Sequence, residues 1–251
     1  CSDHFMKGVY LVTGASKGLG HAISVEIAKN GYTVIAIARE SKELTNIENE
    51  LKSYSENSIA LPCDLGNHSE IKSTMNKILS RFDHISGIVH NAGTISPIEG
   101  MLDVDRSNWE RAIQVNLIGV QDLTNSLAPI LGGEKHTRIV TISSGAAKRS
   151  IHGWSSYCVS KAGLDMWANC MAEEGANRNI SALAIAPGIV DTGMQAEIRN
   201  SDELNFPLLS NSVDYHRNGE LEKPETVAAK LLPFCVGISG QNGDRLDVRN
   251  L

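Results

Sequence analysis

Short runs of apolar residues alternate with longer amphipathic stretches along nearly the whole chain. The runs at 9–12, 33–38, 58–63, 87–90, 138–143, 180–186 and 245–248 are rich in Val, Ile, Leu and Ala, which predicts strands. Several are apolar without alternation, as expected of strands covered on both faces. Between them, 18–30, 42–54 and 69–81 have helical length, and 107–130 and 155–177 predict two long helices. A late helix at 224–235 opens on proline, which suits a first helical position. Regular strand–helix alternation predicts an α/β fold, doubly wound, with about seven parallel strands and helices on both faces. No linker or repeat divides the chain, so residues 6–251 read as one domain. The segment 194–221 lacks strong periodicity and reads as an elaborated loop, of the kind that often forms a lid.

Composition narrows the function classes. With 251 residues, 41% hydrophobic, the chain can bury a sizeable core without covalent staples. A net charge of −6 gives no reason to expect nucleic acid or an anionic membrane as a partner. The five cysteines are odd in number and form no CxxC, which predicts free thiols in a reducing compartment and no metal site. No apolar run reaches membrane-spanning length and no signal-peptide pattern opens the chain, so a cytoplasmic location is expected. Met6 directly precedes the first strand, and residues 1–5 read as a natural extension or, preferably, a cloning remnant.

The first strand runs into Thr13-Gly14-Ala15-Ser16-Lys17-Gly18-Leu19-Gly20 and then a helix. Glycines there permit a tight turn, close backbone approach to a phosphate, and close helix–strand packing, while the helix N-terminus offers free N–H groups. This predicts a Rossmann-type dinucleotide site, although the spacing is GxxxGxG rather than GxGxxG. The second strand ends Ala38-Arg39-Glu40. An arginine at that point grips a 2′-phosphate, and Lys17 adds a second cation, which favours NADP over NAD. Glu40 leaves two alternatives open: it pairs with Arg39, or it faces the ribose.

Tyr157 and Lys161 are four apart at the start of a predicted helix and share a face. A free tyrosine, with a pKa near 10, is a poor acid–base catalyst at neutral pH, and a neighbouring ammonium would lower that value. By spacing alone the pair is common on helix surfaces. The ordered set is specific: the glycine turn, Asn91-Ala92-Gly93 after the fourth strand, Asn116 in a long helix, Ile142-Ser143-Ser144 ending the fifth strand, Tyr157-xxx-Lys161, and Pro187-Gly188 after the sixth.

From Met6 onward this order resembles the short-chain dehydrogenase/reductase family. The resemblance implies a catalytic set of Asn116, Ser144, Tyr157 and Lys161. Tyr157 would donate a proton to a carbonyl oxygen, and Ser144, rather than its neighbour Ser143, would hydrogen-bond that oxygen. Lys161 would lower the tyrosine pKa and bind the nicotinamide ribose, and Asn116 would hold a water in a proton relay. It further implies Gly14, Ser16, Lys17, Gly18, Leu19, Gly20 and Arg39 at the phosphates, with Asp64 and Leu65 at the adenine. Asn91, Ala92 and Gly93 would lie at the adenosine-side ribose, and Pro187, Gly188, Val190 and Thr192 around the nicotinamide. His90 reads as a core residue.

The stretch from Ala186 to Gln195 is similar to that of sepiapterin reductases and benzil-type diketone reductases, except that Gly193 stands where those proteins carry an acidic residue. That likeness implies an NADPH-dependent carbonyl reductase acting on a vicinal dicarbonyl, with Met194 and Asp247 toward the substrate. Asp247 is otherwise a surface aspartate at a strand end. The alternatives are an NAD(P)-dependent alcohol or polyol dehydrogenase, and a catalytically silent NADP-binding interaction protein. The two long helices form the usual pairing surface in this family, which implies a homodimer or homotetramer.

Overall fold

A computed structural model describes residues 7–251, so the expectations for residues 1–5 and for Met6 lie outside the described residues. The first half runs β1 (Val9–Thr13), α1 (Gly18–Lys29), β2 (Thr33–Ala38), α2 (Lys42–Tyr54), β3 (Ile59–Pro62), α3 (His68–Leu79) and β4 (Gly87–His90). The second runs α4 (Arg106–Ile113), α5 (Gly119–Ser126), β5 (Thr137–Ile142), α6 (Ser155–Gly175), β6 (Ile180–Ala186), α7 (Gly193–Arg199), α8 (Leu209–Arg217), α9 (Pro224–Cys235) and β7 (Arg245–Asp247).

The strands form one seven-stranded sheet in the order β3-β2-β1-β4-β5-β6-β7, every neighbouring pair parallel. Period-2 alternation divides each central strand between two cores. Tyr10, Val12, Val34 and Ala36 pack on the side of α1, α2 and α9, while Val9, Leu11, Ile35 and Ile37 pack on the side of α3, α5 and α6. This is why the strands read as unbroken apolar runs. Strand order reverses between β1 and β4, and the crevice beyond the carboxyl ends of the strands at such a reversal is where ligands bind in open α/β sheets.

Side-chain caps start three of the α-helices among the described residues. The side chains of Ser41, Asn67 and Asp105 accept backbone N–H bonds at the starts of α2, α3 and α4. Two expectations are corrected. The predicted helix 107–130 is broken: a π-helical turn, Gln114–Ile118, separates α4 from α5, and Pro129 turns the end into a 3₁₀ segment, Ala128–Ile130. The predicted loop 194–221 holds α7 and α8, helices too short for their periodicity to register.

Candidate active site

A cleft of about 1760 Å³ opens along the carboxyl ends of the strands. Every residue predicted for cofactor or substrate lines it except Gly20, and every predicted catalytic residue except Asn116. Both exceptions sit behind the wall and build it.

Gly20 is where α1 packs on the end of β1: a Cβ there would meet the Gly14 carbonyl oxygen at 2.1 Å and Asn91 Nδ2 at 2.4 Å. Gly14 itself has φ +63°, in the left-handed region that favours glycine. Thr13 and Asn91 lock this turn to β4. Thr13 Oγ1 accepts from the backbone N–H groups of Asn91 and Ala92, each at 3.0 Å, and Asn91 Nδ2 donates to the Thr13 carbonyl at 3.1 Å. The Asn91 side chain thus serves the turn. Lys17 occupies the N-cap of α1 and makes no side-chain cap, unlike the residues that start α2 to α4. With no side chain at Lys17 capping them, the first N–H groups of α1 lie at the cleft, where they could hold an anion.

At the end of β2, Arg39 and Glu40 are both exposed on the cleft wall, and no salt bridge joins them. Asp64 is anchored by Arg111, whose Nη2 donates to both carboxylate oxygens at 2.7 and 2.8 Å. Partial burial would raise the Asp64 pKa, but the Arg111 and Gly66 hydrogen bonds outweigh it and hold the group below the usual carboxylate range. His90 is a core residue: Nε2 meets Thr124 Oγ1 at 2.9 Å, the ring stands edge-on to Trp167, and burial pushes its pKa down to about 3.

The other end of the cleft gathers Ser144, Tyr157 and Lys161. Ser144 caps a 3₁₀ turn, its Oγ accepting from the Ala146 N–H at 3.1 Å, and its hydroxyl lies beside the Tyr157 phenol. Ser143 is buried, with Oγ 3.5 Å from Arg245 Nη2. Tyr157 and Lys161 occupy successive turns of α6, with the Lys161 ammonium 5.6 Å from the Tyr157 ring centroid and donating to the Ile142 carbonyl at 2.8 Å.

Burial dominates the electrostatics at this end of the cleft. Burial pushes the Tyr157 hydroxyl up to about 12, with Ser144 pulling against it. Burial also pulls Lys161 itself down to about 8, with Asp165 opposing. Taking both groups out of water disfavours phenolate and ammonium alike.

Asn116 is completely buried at the centre of the π turn. Its Nδ2 donates to the Thr94 carbonyl at 2.9 Å and to Ser160 Oγ at 3.0 Å, and its Oδ1 accepts from the Thr94 N–H at 2.8 Å. Both N–H donors of that side chain are committed, and its oxygen accepts one bond. Asp247 lines the cleft, but Arg249 donates to both of its oxygens, at 2.9 and 2.6 Å, and holds its pKa down at about 2.

One wall of the cleft joins apolar residues of the 194–221 segment, whose apolar content suits a hydrophobic substrate, to others that the sequence did not point to. Trp154 stacks on Phe206 at 5.1 Å and stands edge-on to Tyr157 at 5.7 Å, and Ile95, Ile98, Ile151, Ile198 and Met194 complete the apolar lining. Phe206 comes from the segment between α7 and α8, so its approach to Trp154 leaves no local signal. The apolar residues of the 194–221 segment and an aromatic three residues before Tyr157 were the available hints. Also missed were Arg111, Arg245 and Arg249.

Comparison with known proteins agrees with this geometry. The short chain dehydrogenase family model matches residues 8–203. A benzil reductase ((S)-benzoin forming) of Bacillus cereus is 34% identical over 232 residues, covering 87% of this chain and 90% of that protein. An NADPH-dependent pterin aldehyde reductase of Arabidopsis thaliana is 29% identical, covering 95% and 92%. The crystal structure of the KRED1-Pglu enzyme matches with a TM-score of 0.86 at 30% identity, covering 95% of this chain and all of that one. The chain belongs to the short-chain dehydrogenase family and is an oxidoreductase acting on CH–OH and C=O groups, a carbonyl reductase.

Proposed function

We propose that this carbonyl reductase uses NADPH and takes a vicinal dicarbonyl, with residues 6–251 acting as one domain. The observation that carries the reading is the convergence of Ser144, Tyr157 and Lys161 beside an apolar, aromatic wall, at one end of a cleft whose other end carries Lys17 and Arg39. The donor set fits the cofactor. The uncapped start of α1 and the glycine turn would hold the pyrophosphate, and Arg39 with Lys17 the 2′-phosphate. Asp64, Leu65 and Gly93 would hold the adenosine half, and Pro187, Gly188, Val190, Thr192 and Lys161 the nicotinamide half. The Arabidopsis relative is an NADPH-dependent reductase, which supports that choice.

Bound, the reduced nicotinamide supplies a hydride. Tyr157, with a pKa pushed up to about 12, stays protonated through the neutral range and hands over its proton only as negative charge develops on the carbonyl oxygen. Ser144 donates to the same oxygen and orients it. Lys161, fixed on the Ile142 carbonyl, holds positive charge beneath the tyrosine ring. The Asn116 side chain holds Thr94 and Ser160 in place, and its Oδ1, which accepts one hydrogen bond and has a second lone pair, would hold the relay water.

The Trp154–Phe206 stack and the isoleucines suit a flat, apolar substrate with adjacent carbonyls, and the names of the benzil reductase relatives point the same way. Asp247 is a weaker candidate for the substrate, since Arg249 already occupies it. Ile118, on the π turn, and Val159 and Met166, on α6, are exposed apolar residues that suit pairing of two copies as a dimer or tetramer. A panel of diaryl and alkyl diketones, sepiapterin and simple sugars, assayed with NADPH and with NADH, tests the reading. Turnover confined to sugars or to NADH would overturn it.

A further inference from the structure

Arg245 and Asp247 lie on the same face of β7, two residues apart, paired in register with Ala184 and Ala186 of β6. Arg245 is only 20% exposed and reaches two other elements. Its Nε donates to Asp165 Oδ2 on α6 at 3.2 Å. Its Nη2 donates to the Ser144 main-chain carbonyl at 3.0 Å and lies 3.5 Å from Ser143 Oγ. Asp165 sits one helical turn beyond Lys161 and is only 15% exposed, with Oδ1 buried and unpartnered among the described residues.

Stability alone is a poor reason for such a pair. Two charges taken out of water lose much of their hydration, and apolar side chains of equal volume often hold a fold as well or better. What the pair does gain is geometry. The last ladder bond of this segment is Ser143 N–H to the Ile185 carbonyl, at 2.8 Å; beyond it the chain leaves the sheet. The Ser144 carbonyl then accepts from the Ala147 N–H at 3.1 Å and from Arg245. Arg245 is thus a tie from outside the turn on the Ser144 main chain, and Asp165 fixes Arg245 from the helix that carries Tyr157 and Lys161.

We infer that Arg245 is a positioning residue: braced by Asp165, it locks the Ser143–Ser144 turn to α6 so that the Ser144 hydroxyl stays beside Tyr157. The inference rests on the proposed roles of Ser144 and Tyr157. No local pattern joins the two residues, which are 80 positions apart.

The test compares Arg245→Met, Asp165→Asn/Arg245→Met, Ser144→Ala and Ser144→Ala/Arg245→Met with the intact enzyme. Measured are kcat and KM for a diketone with NADPH, and NADPH affinity by fluorescence. The double charge removal leaves neither partner buried alone, so it remains informative if Arg245→Met folds poorly. Expected is a kcat loss of about 10-fold or more in both charge-removal variants, the scale at which a small displacement at a reacting centre acts. NADPH affinity stays within about 2-fold, and in the Ser144→Ala background Arg245→Met adds less than about 2-fold, because the two act through one hydroxyl. A kcat within about 2-fold of wild type, a loss confined to NADPH affinity, or a multiplicative loss in the Ser144→Ala background would overturn the inference alone. Full activity of Ser144→Ala would overturn the catalytic reading of Ser144 and the inference with it.

Discussion

Lys161 Nζ donates to the main-chain carbonyl of Ile142 at 2.8 Å, tying the face of α6 that carries Tyr157 to the end of β5, two residues before Ser144. The bond fixes the ammonium but leaves it buried, and burial lowers its pKa to about 8 from the ordinary lysine value of 10.5. Lys161 is then cationic below about 8 and neutral above it. Its contribution to folding stability is fully present above 10.5 and is lost as pH falls through 8, since the unfolded chain binds the proton more tightly. For turnover the sign is opposite, because the cation is the useful form. Reduction by NADPH is expected to hold steady from neutral pH and decline on the alkaline side of about pH 8. A kcat profile from pH 6 to 10 checks this, and a rate still rising at pH 10 would contradict it.

Arg39 faces the cleft free of Glu40. Charge-assisted hydrogen bonds contribute about 1.5–3 kcal/mol, so Arg39→Ala is expected to raise the NADPH KM by roughly 10- to 100-fold while leaving that for NADH nearly unchanged. Equal effects on the two cofactors would assign Arg39 no part in the choice between them.

Gly20 has no room for a methyl group, with the Gly14 carbonyl 2.1 Å from where a Cβ would lie. That oxygen belongs to the backbone, so relief requires shifting α1 or the turn. Gly20→Ala is expected to destabilise by about 1–3 kcal/mol, the usual range for overpacking, and to weaken NADPH binding through the displaced turn. Thermal unfolding and fluorescence titration read the two effects, and an unchanged melting temperature would contradict the packing argument.

Phe206 and Trp154 form the stacked wall next to Tyr157. Phe206→Ala is expected to raise the KM for a diaryl diketone about 10-fold or more, and that for a small alkyl diketone much less, since one lost aromatic contact leaves the small substrate's packing intact. Parallel KM measurements on the two substrates decide it.

How much of this was legible follows from the range of each signal. The sheet and its order of elements were readable because strands buried on both faces make unbroken apolar runs, and the glycine turn and Tyr157–Lys161 were readable because their members are near neighbours in sequence. The break at Gln114–Ile118 was not, because a π turn keeps helical composition and changes only its hydrogen-bond pattern. The tyrosine's upward shift was not, because desolvation depends on what packs over a group rather than on the lysine one turn away. The Arg111–Asp64, Arg245–Asp165 and Trp154–Phe206 pairs join residues 47, 80 and 52 positions apart, beyond any local pattern.

The most direct measurement is single-turnover oxidation of NADPH in the presence of a diaryl diketone, comparing wild type with Tyr157→Phe. Removing a general acid costs about 10²–10⁴-fold, so the variant should fall by that factor while its NADPH affinity stays unchanged. A Tyr157→Phe enzyme that oxidises NADPH at the wild-type rate would contradict the account.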